Sequence, residues 1–341
     1  MHLSDFDYNL PQEQIAQHPL ADRAASRLLV LDRSAGTTRH LHFHDLPTLI
    51  PPGDLLVINT SRVIPARLHG KRGGGQPAEL LLVRGLPDGT WLAMGHPGGK
   101  LKPGRRVTFG EDSTAEIVEV LGGGLRRVRF SGELDARATL AKYGKVPLPP
   151  YITRAPTQAD QDRYQTVYAT HDGSVAAPTA GLHFTTELLA RIHEQRTFVT
   201  AIDLHVGPGT FKPVETEDLD KHTMHPEAYE ISEGAASWIN KVKGVGGGVW
   251  GVGTTVMRAL ESAVDPTGQV RPGPSETSLF IRPPYDFKIV SRLITNFHLP
   301  RSTLLMLVCA FGGYEQVMAA YEEAVKEGYR FYSYGDAMVI I

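Results

Sequence analysis

Apolar and polar positions change texture twice along the chain. An apolar run at Leu28–Leu31 is followed by a short helical stretch at residues 45–50, a second run at Leu55–Asn59 and a continuation at Val63–Leu68. These read as strands around one short helix. Glycine then takes over. Gly73 to Gly75, the Pro87-Asp88-Gly89 turn, Gly98-Gly99 and Gly122 to Gly124 punctuate short runs at Glu79–Arg84, Thr90–Met94, Ala115–Leu121 and Arg126–Phe130. Short strands bounded by glycine turns predict a small, mostly antiparallel β-domain inserted at residues 69–148. Beyond Tyr151 the period returns to that of alternating elements. Helices are expected at Asp160–Tyr168, Thr186–Gln195, Glu233–Val242, Thr303–Phe311 and Tyr314–Glu327, and buried strands at Phe198–His205, Val249–Val252, Thr277–Ile281 and Ile289–Thr295. The fold class is therefore α/β, with a discontinuous large domain formed by residues 1–68 and 149–341.

Composition narrows the setting. With 341 residues, 41% of them hydrophobic, the chain can bury a large core, and its length favours two domains over one. Asp5, Asp7 and Glu13 interrupt the first twenty residues, which do not read as a signal peptide, and no segment reaches the roughly 20 apolar residues of a membrane-spanning helix. The lone cysteine, Cys309, sits in an apolar run and has no intrachain partner, which fits a reducing cytoplasm. Lys+Arg 35 against Asp+Glu 37 gives a net charge of −2. Nucleic acid would have to be held by a local basic surface, for which Lys71, Arg72, Arg105, Arg106, Arg126, Arg127 and Arg129 of the insertion are candidates.

Gly246-Gly247-Gly248-Val249-Trp250-Gly251 has the spacing of a dinucleotide-binding loop, but a helix precedes the glycines and a strand follows, the reverse of what that loop requires. No phosphate-binding loop of an NTPase is present. At Gly253-Thr254-Thr255 a strand runs into a helix that carries Arg258. Free N–H groups and two hydroxyls there suit a phosphate or carboxylate; a plain helix cap is the alternative. His40, His42 and His44 alternate and would share one strand face, as in a metal site, yet the polar surroundings fit a solvated face. Three further segments each place a histidine among small, hydroxyl, Gly or Pro residues: Ala176 to Thr185 with His183, Leu204 to Phe211 with His205, and Thr295 to Pro300 with His298. Loops of this kind are where an α/β scaffold places chemistry.

These segments together resemble the S-adenosylmethionine:tRNA ribosyltransferase-isomerase family of queuosine synthesis. The resemblance runs nearly end to end. It includes His18-Pro19-Leu20, Arg62 to Leu68, Pro147 to Ile152, Asp162 to Ala169, the three histidine segments, Met224-His225-Pro226-Glu227, Gly253-Thr254-Thr255, Arg301 to Met306 and Tyr332 to Met338. The chain departs from the family pattern at Asn59-Thr60-Ser61, at Pro208 and at Val256-Met257.

The resemblance implies a barrel-like large α/β domain with a β-rich insertion. Its substrates would be S-adenosylmethionine and tRNA bearing 7-aminomethyl-7-deazaguanine at the wobble position, and its products epoxyqueuosine-tRNA, adenine and methionine. A proton leaves C5′ beside the sulfonium, the ribose opens as adenine departs, the base's amine attacks, and epoxide closure expels methionine. The expected catalytic residues are His183, His205 and His298 as acid–base groups, imidazole being able to change charge near neutral pH, and Asp336 as a carboxylate for the cationic sulfonium or the incoming amine. Thr179, Gly181, Gly207, Thr210, Gly253, Thr254, Thr255, Arg258 and Asn296 are expected around S-adenosylmethionine, and Arg62, Arg67, Tyr164, Tyr168, Arg126 and Arg127 on tRNA. No metal is expected, and the chain is expected to act as a cytoplasmic monomer. A non-catalytic RNA-binding protein and an S-adenosylmethionine-dependent methyltransferase are the alternatives. The first leaves the histidine loops unexplained, and the second lacks its glycine-rich loop after the first strand.

Overall fold

The computed structural model describes residues 1–207, 214 and 216–341. Two sheets organise the chain. The larger has nine strands in the order Gly273–Thr277, Glu227–Ile231, Phe198–Leu204, Leu55–Asn59, Val249–Val252, Arg292–Asn296, Ala337–Ile340, Arg27–Asp32 and Thr37–His42. Leu55–Asn59 pairs in parallel with Phe198–Leu204 on one side and Val249–Val252 on the other, while the outer pairs at each end are antiparallel.

The central strands are apolar throughout because both faces are covered. Leu29, Leu31, Leu55 and Val57 enter one core cluster, whereas their neighbours Leu28, Val30, Leu56 and Ile58 enter the other. Each such side chain contributes about 1.5–3 kcal/mol by leaving water, so a one-residue slip would misplace both sets. The helices Glu233–Gly244, Thr254–Ser262, Thr303–Gly312 and Tyr314–Lys326 pack on the first face, and Thr186–Glu194 on the second. No single helix among the described residues is long and apolar enough to cross a membrane.

The second sheet is where a ring closes. Its strands Arg67–Arg72, Pro77–Gly85, Trp91–His96, Leu125–Gly132, Ser113–Val120 and Arg106–Phe109 are antiparallel neighbours in that order, and Arg67–Arg72 also pairs with Arg106–Phe109. Leu68, Leu80, Leu82, Val107, Phe109, Ile117 and Val128 fill the interior. Closure brings backbones together at Gly70, where a Cβ would stand 2.6 Å from the Thr108 carbonyl oxygen. The large sheet, by contrast, runs open from Gly273–Thr277 to Thr37–His42. The barrel-like closure implied for it is thus not what the strand order shows.

Several elements differ from the sequence reading. The expected strand Thr277–Ile281 lies earlier, at Gly273–Thr277, and the helix expected over Asp160–Tyr168 is only Gln158–Arg163. Strands at Thr37–His42, Glu227–Ile231 and Ala337–Ile340 are not among the apolar runs read as strands. The first carries a single apolar residue, Leu41, and the last is buried along its whole length, so neither alternates. The glycine run before Val249 serves packing: a Cβ on Gly248 would lie 2.5 Å from the Asp54 carboxylate, which accepts from the Gly248 and Trp250 N–H groups.

Candidate active site

A cleft of about 1640 Å³ lies between the small barrel and the end of the large sheet. The barrel side contributes Arg84, Trp91, Met94 and Arg137; the sheet side contributes Gly173, His205, Gly207, His222, Glu227 and Arg258. His205 and Gly207 directly follow the strand Phe198–Leu204, and the edge of an α/β sheet beyond its strand ends is where such folds receive ligands.

Arg258 projects from the second turn of the helix Thr254–Ser262 and is 4% exposed. Its Nη1 donates to Glu227 Oε2 at 2.6 Å and its Nε to the Leu279 carbonyl at 3.1 Å, which fix the plane of the guanidinium. Nη2 is buried with no hydrogen-bond partner among the described residues. A buried charged donor left unpaired is costly, and here it belongs to a residue on the cleft wall. Glu227 also accepts from the Gly207 N–H at 3.2 Å, tying the loop after His205 to the same carboxylate.

His205 is half-buried. Its backbone N–H is anchored on the Ala228 carbonyl and its Nδ1 lies 3.1 Å from Ser61 Oγ. Burial pushes its pKa below the ordinary value, opposed by the carboxylate of Asp203, so the ring is neutral near pH 7 and able to accept a proton.

The other two histidines do not reach this cleft. His183 stacks on Phe43, with Nδ1 2.7 Å from Ser26 Oγ and Nε2 3.0 Å from Asn296 Nδ2. Asn296 Nδ2 also donates to the Tyr332 carbonyl, which orients the amide so that His183 Nε2 accepts. The Nε2 of His298 lies 2.7 Å from Thr295 Oγ1, and its backbone carbonyl accepts from the Tyr8 hydroxyl. The void beside His183 is only about 20 Å³, too small for a nucleoside. Asp336 is 2% exposed and accepts the backbone N–H groups of Arg27 and Arg330 at 2.9 and 2.8 Å, joining two chain segments. Burial raises its pKa, opposed by those two N–H groups.

Burial pushes His183 and His298 down to about 3, with Arg23 and Arg330 adding to the effect at His183. Unfolding returns both rings to about 6.5. The unfolded chain then binds more protons between those values, so this stability is complete above about pH 6.5 and is lost as pH falls toward 3. The slope is at most about 1.4 kcal/mol per pH unit for each ring. Urea midpoints should fall steadily from pH 6.5 to 4.5, less steeply in His183→Gln and His298→Gln; equal slopes in both variants and the parent would contradict this.

The expected S-adenosylmethionine residues divide. Gly207 and Arg258 line the cleft, whereas Gly253, Thr254 and Thr255 do not; this helix start has no side-chain cap and lies against Ala180. Thr179 and Gly181 fall in the short helix that ends at His183, with Gly181 held close to the Tyr168 hydroxyl, and Asn296 belongs to the His183 cluster. Thr210 lies outside the described residues.

The expected tRNA contacts need more correction. Arg126 is 5% exposed and gives its guanidinium to the carbonyls of Leu101, Gly124 and Gly98, so it braces the barrel and is not on its surface. Arg127 is paired with Asp88 and Thr90, and Arg67 bonds Glu79 and the Leu148 carbonyl. Tyr164 is 1% exposed, edge-on to Tyr334, and cannot stack on a base. Tyr168 packs against Phe184. Arg62 remains exposed, donating to the Ala169 carbonyl near Asp172. Of the alternating histidines, His40 meets the Tyr329 hydroxyl and Glu323, while His42 and His44 stack at the surface with Asp45 near by.

Sequence reasoning missed Glu227 and His222 as cleft residues. Glu227 closes the Met224-His225-Pro226-Glu227 segment, so a signal for it was present; its partner Arg258 lies 31 residues away and only the fold joins them.

A neutral imidazole and a buried arginine with an unused donor, on one wall of a roomy cleft, suit acid–base chemistry on a substrate bearing an anionic group. The chain belongs to the queuosine biosynthesis protein family, whose model matches residues 3–340. It is similar to the S-adenosylmethionine:tRNA ribosyltransferase-isomerase of Anaeromyxobacter dehalogenans, with 51% identity over 345 residues covering 100% of this chain and 99% of that one. The enzyme of the same name from Moorella thermoacetica is 49% identical over the full length of both chains. Among solved structures it resembles the S-adenosylmethionine tRNA ribosyltransferase of Thermotoga maritima, with 36% identity, a TM-score of 0.58 and coverage of 99% of this chain and 100% of that one.

Proposed function

We propose that this chain transfers and isomerises the ribosyl moiety of S-adenosylmethionine onto 7-aminomethyl-7-deazaguanine in tRNA, releasing adenine and methionine, and that the cleft between barrel and sheet is where it does so. The observation that carries the reaction is the full-length identity of about half with enzymes bearing that name. The location rests on His205 and Arg258.

In this reading Arg258 Nη2, the one arm of the guanidinium not already engaged, receives the methionine carboxylate. A planar guanidinium held by Glu227 is preorganised for a second carboxylate, and the neutralising Glu227 keeps the wall from repelling the cationic sulfonium. His205 takes the C5′ proton. The proton is acidified by the adjacent sulfonium, so a neutral imidazole is a strong enough base. Arg137 on the cleft lining supplies a cation for tRNA phosphates, beside Arg84 and Lys221, which pair with Glu276 and Asp218. No side chain of a metal-binding set is required by these steps, and the exposed His42, His44 and Asp45 group lies outside the cleft lining.

The products test the reading. Adenine and methionine mark ribosyl transfer, S-adenosylhomocysteine marks a methyltransferase, and unchanged S-adenosylmethionine marks a protein that only binds RNA.

A further inference from the structure

Behind His205, on the side away from the cleft, stand two hydroxyls that the reaction as described leaves without a task. Ser61 and Ser174 are both fully buried. Ser61 Oγ lies 3.1 Å from His205 Nδ1 and 2.7 Å from Ser174 Oγ; Ser174 Oγ accepts the Val206 N–H at 3.0 Å and can donate to the Leu204 carbonyl at 3.5 Å. Asn59 pins Ser61 from beneath, its side-chain oxygen accepting the N–H groups of both Ser61 and Leu204.

The backbone is shaped to make this row. Strand His171–Ser174 pairs in parallel with Ser61–Val63, and the register shifts between Asp172 and Ser174. The shift falls at Gly173, whose φ of +154° disfavours any side chain and where a Cβ would lie 2.5 Å from both Cε1 and Nδ1 of His205. Gly173 is therefore the floor under the imidazole, and the bulge lets Ser174 face Ser61.

Resting on the reading of His205 as the base, we propose that Ser61, Ser174 and Gly173 are positioning residues that hold its ring with the proton on Nδ1, leaving Nε2 as the basic nitrogen. Nδ1–H donates to Ser61, Ser61 to Ser174, and Ser174 to the Leu204 carbonyl, so every hydrogen in the row has an acceptor. When Nε2 takes the substrate proton, the imidazolium keeps the same Nδ1–H bond and no atom has to move. Which ring nitrogen carries the proton is set by the bond the other makes. The charged and titratable groups that also bear on this ring are Asp203, His171 and Glu230; Asp203 pairs with His171 and accepts from Thr60.

Imidazole ¹⁵N shifts of the full-length protein report the tautomer directly. The parent should show His205 as Nδ1–H, and Ser61→Ala should move it toward Nε2–H. In Ser61→Ala, kcat should fall roughly tenfold or more, as when an orienting partner is lost, with KM for S-adenosylmethionine and tRNA unchanged. Ser61→Thr, which keeps the hydroxyl, should restore both tautomer and kcat. Gly173→Ala should cost about a hundredfold in kcat by displacing the ring. Ser61→Ala with full kcat where His205→Ala has none overturns the relay and spares the base, whereas an Nε2–H ring in the parent overturns the relay and leaves Nε2 unable to take the substrate proton. Full kcat in His205→Ala would instead remove the base itself.

Discussion

His205→Ala should lose turnover by about 10²–10⁴-fold, the range expected for removing a general base, with the affinities for S-adenosylmethionine and tRNA nearly unchanged. Only its neutral form can accept a proton, and burial lowers its pKa. The acid limb of kcat in the parent should therefore lie below pH 6.5, the ordinary imidazole value, with activity lost as pH falls through the depressed value. His183→Gln and His298→Gln give the contrast. Their rings are enclosed away from the cleft, so these variants should lose stability while the folded fraction keeps its kcat. Steady-state and single-turnover kinetics on all three, normalised to folded protein, check the assignment. A His183 variant that folds fully and is inactive would move the base to the other histidine cluster.

The second large effect separates the two arms of Arg258. Arg258→Lys keeps a cation for Glu227 but removes the free fork nitrogen. Loss of one charge-assisted contact, about 1.5–3 kcal/mol, should weaken S-adenosylmethionine tenfold or more while tRNA affinity and the unfolding midpoint change little. Arg258→Met goes further and removes the cation that Glu227 meets at 2.6 Å, so it should also lower the unfolding midpoint. Titration calorimetry with each substrate decides between occupants. Weakened tRNA binding with unaltered S-adenosylmethionine binding would give this nitrogen to an RNA phosphate instead of the methionine carboxylate.

Much of the fold was legible because the central strands are buried on both faces and so write themselves as apolar runs, as at Leu55–Asn59 and Val249–Val252. The glycine-bounded strands were legible for the opposite reason, since tight turns need that residue. What the chain could not announce was closure. Whether Arg67–Arg72 meets Arg106–Phe109, or the large sheet closes on itself, depends on pairings distant in sequence.

The candidate site was read unevenly. Each histidine sits in a loop of similar composition, so composition could not separate His205, which borders open space, from His183, which is walled in by Phe43, Ser26 and Asn296. Arg126 misled for a related reason. An arginine in a polar strand reads as surface, and only the fold brings three carbonyls around it. Glu227 was overlooked because its value lies in a partner from another element.

Product analysis with S-adenosylmethionine labelled in the ribose tests the central claim most directly. The full-length protein, given tRNA bearing 7-aminomethyl-7-deazaguanine, should place the label on the tRNA and release one adenine and one methionine for each label transferred. Label that stays with an intact nucleoside as S-adenosylhomocysteine, or that never leaves S-adenosylmethionine while tRNA is bound, would contradict ribosyl transfer by this chain.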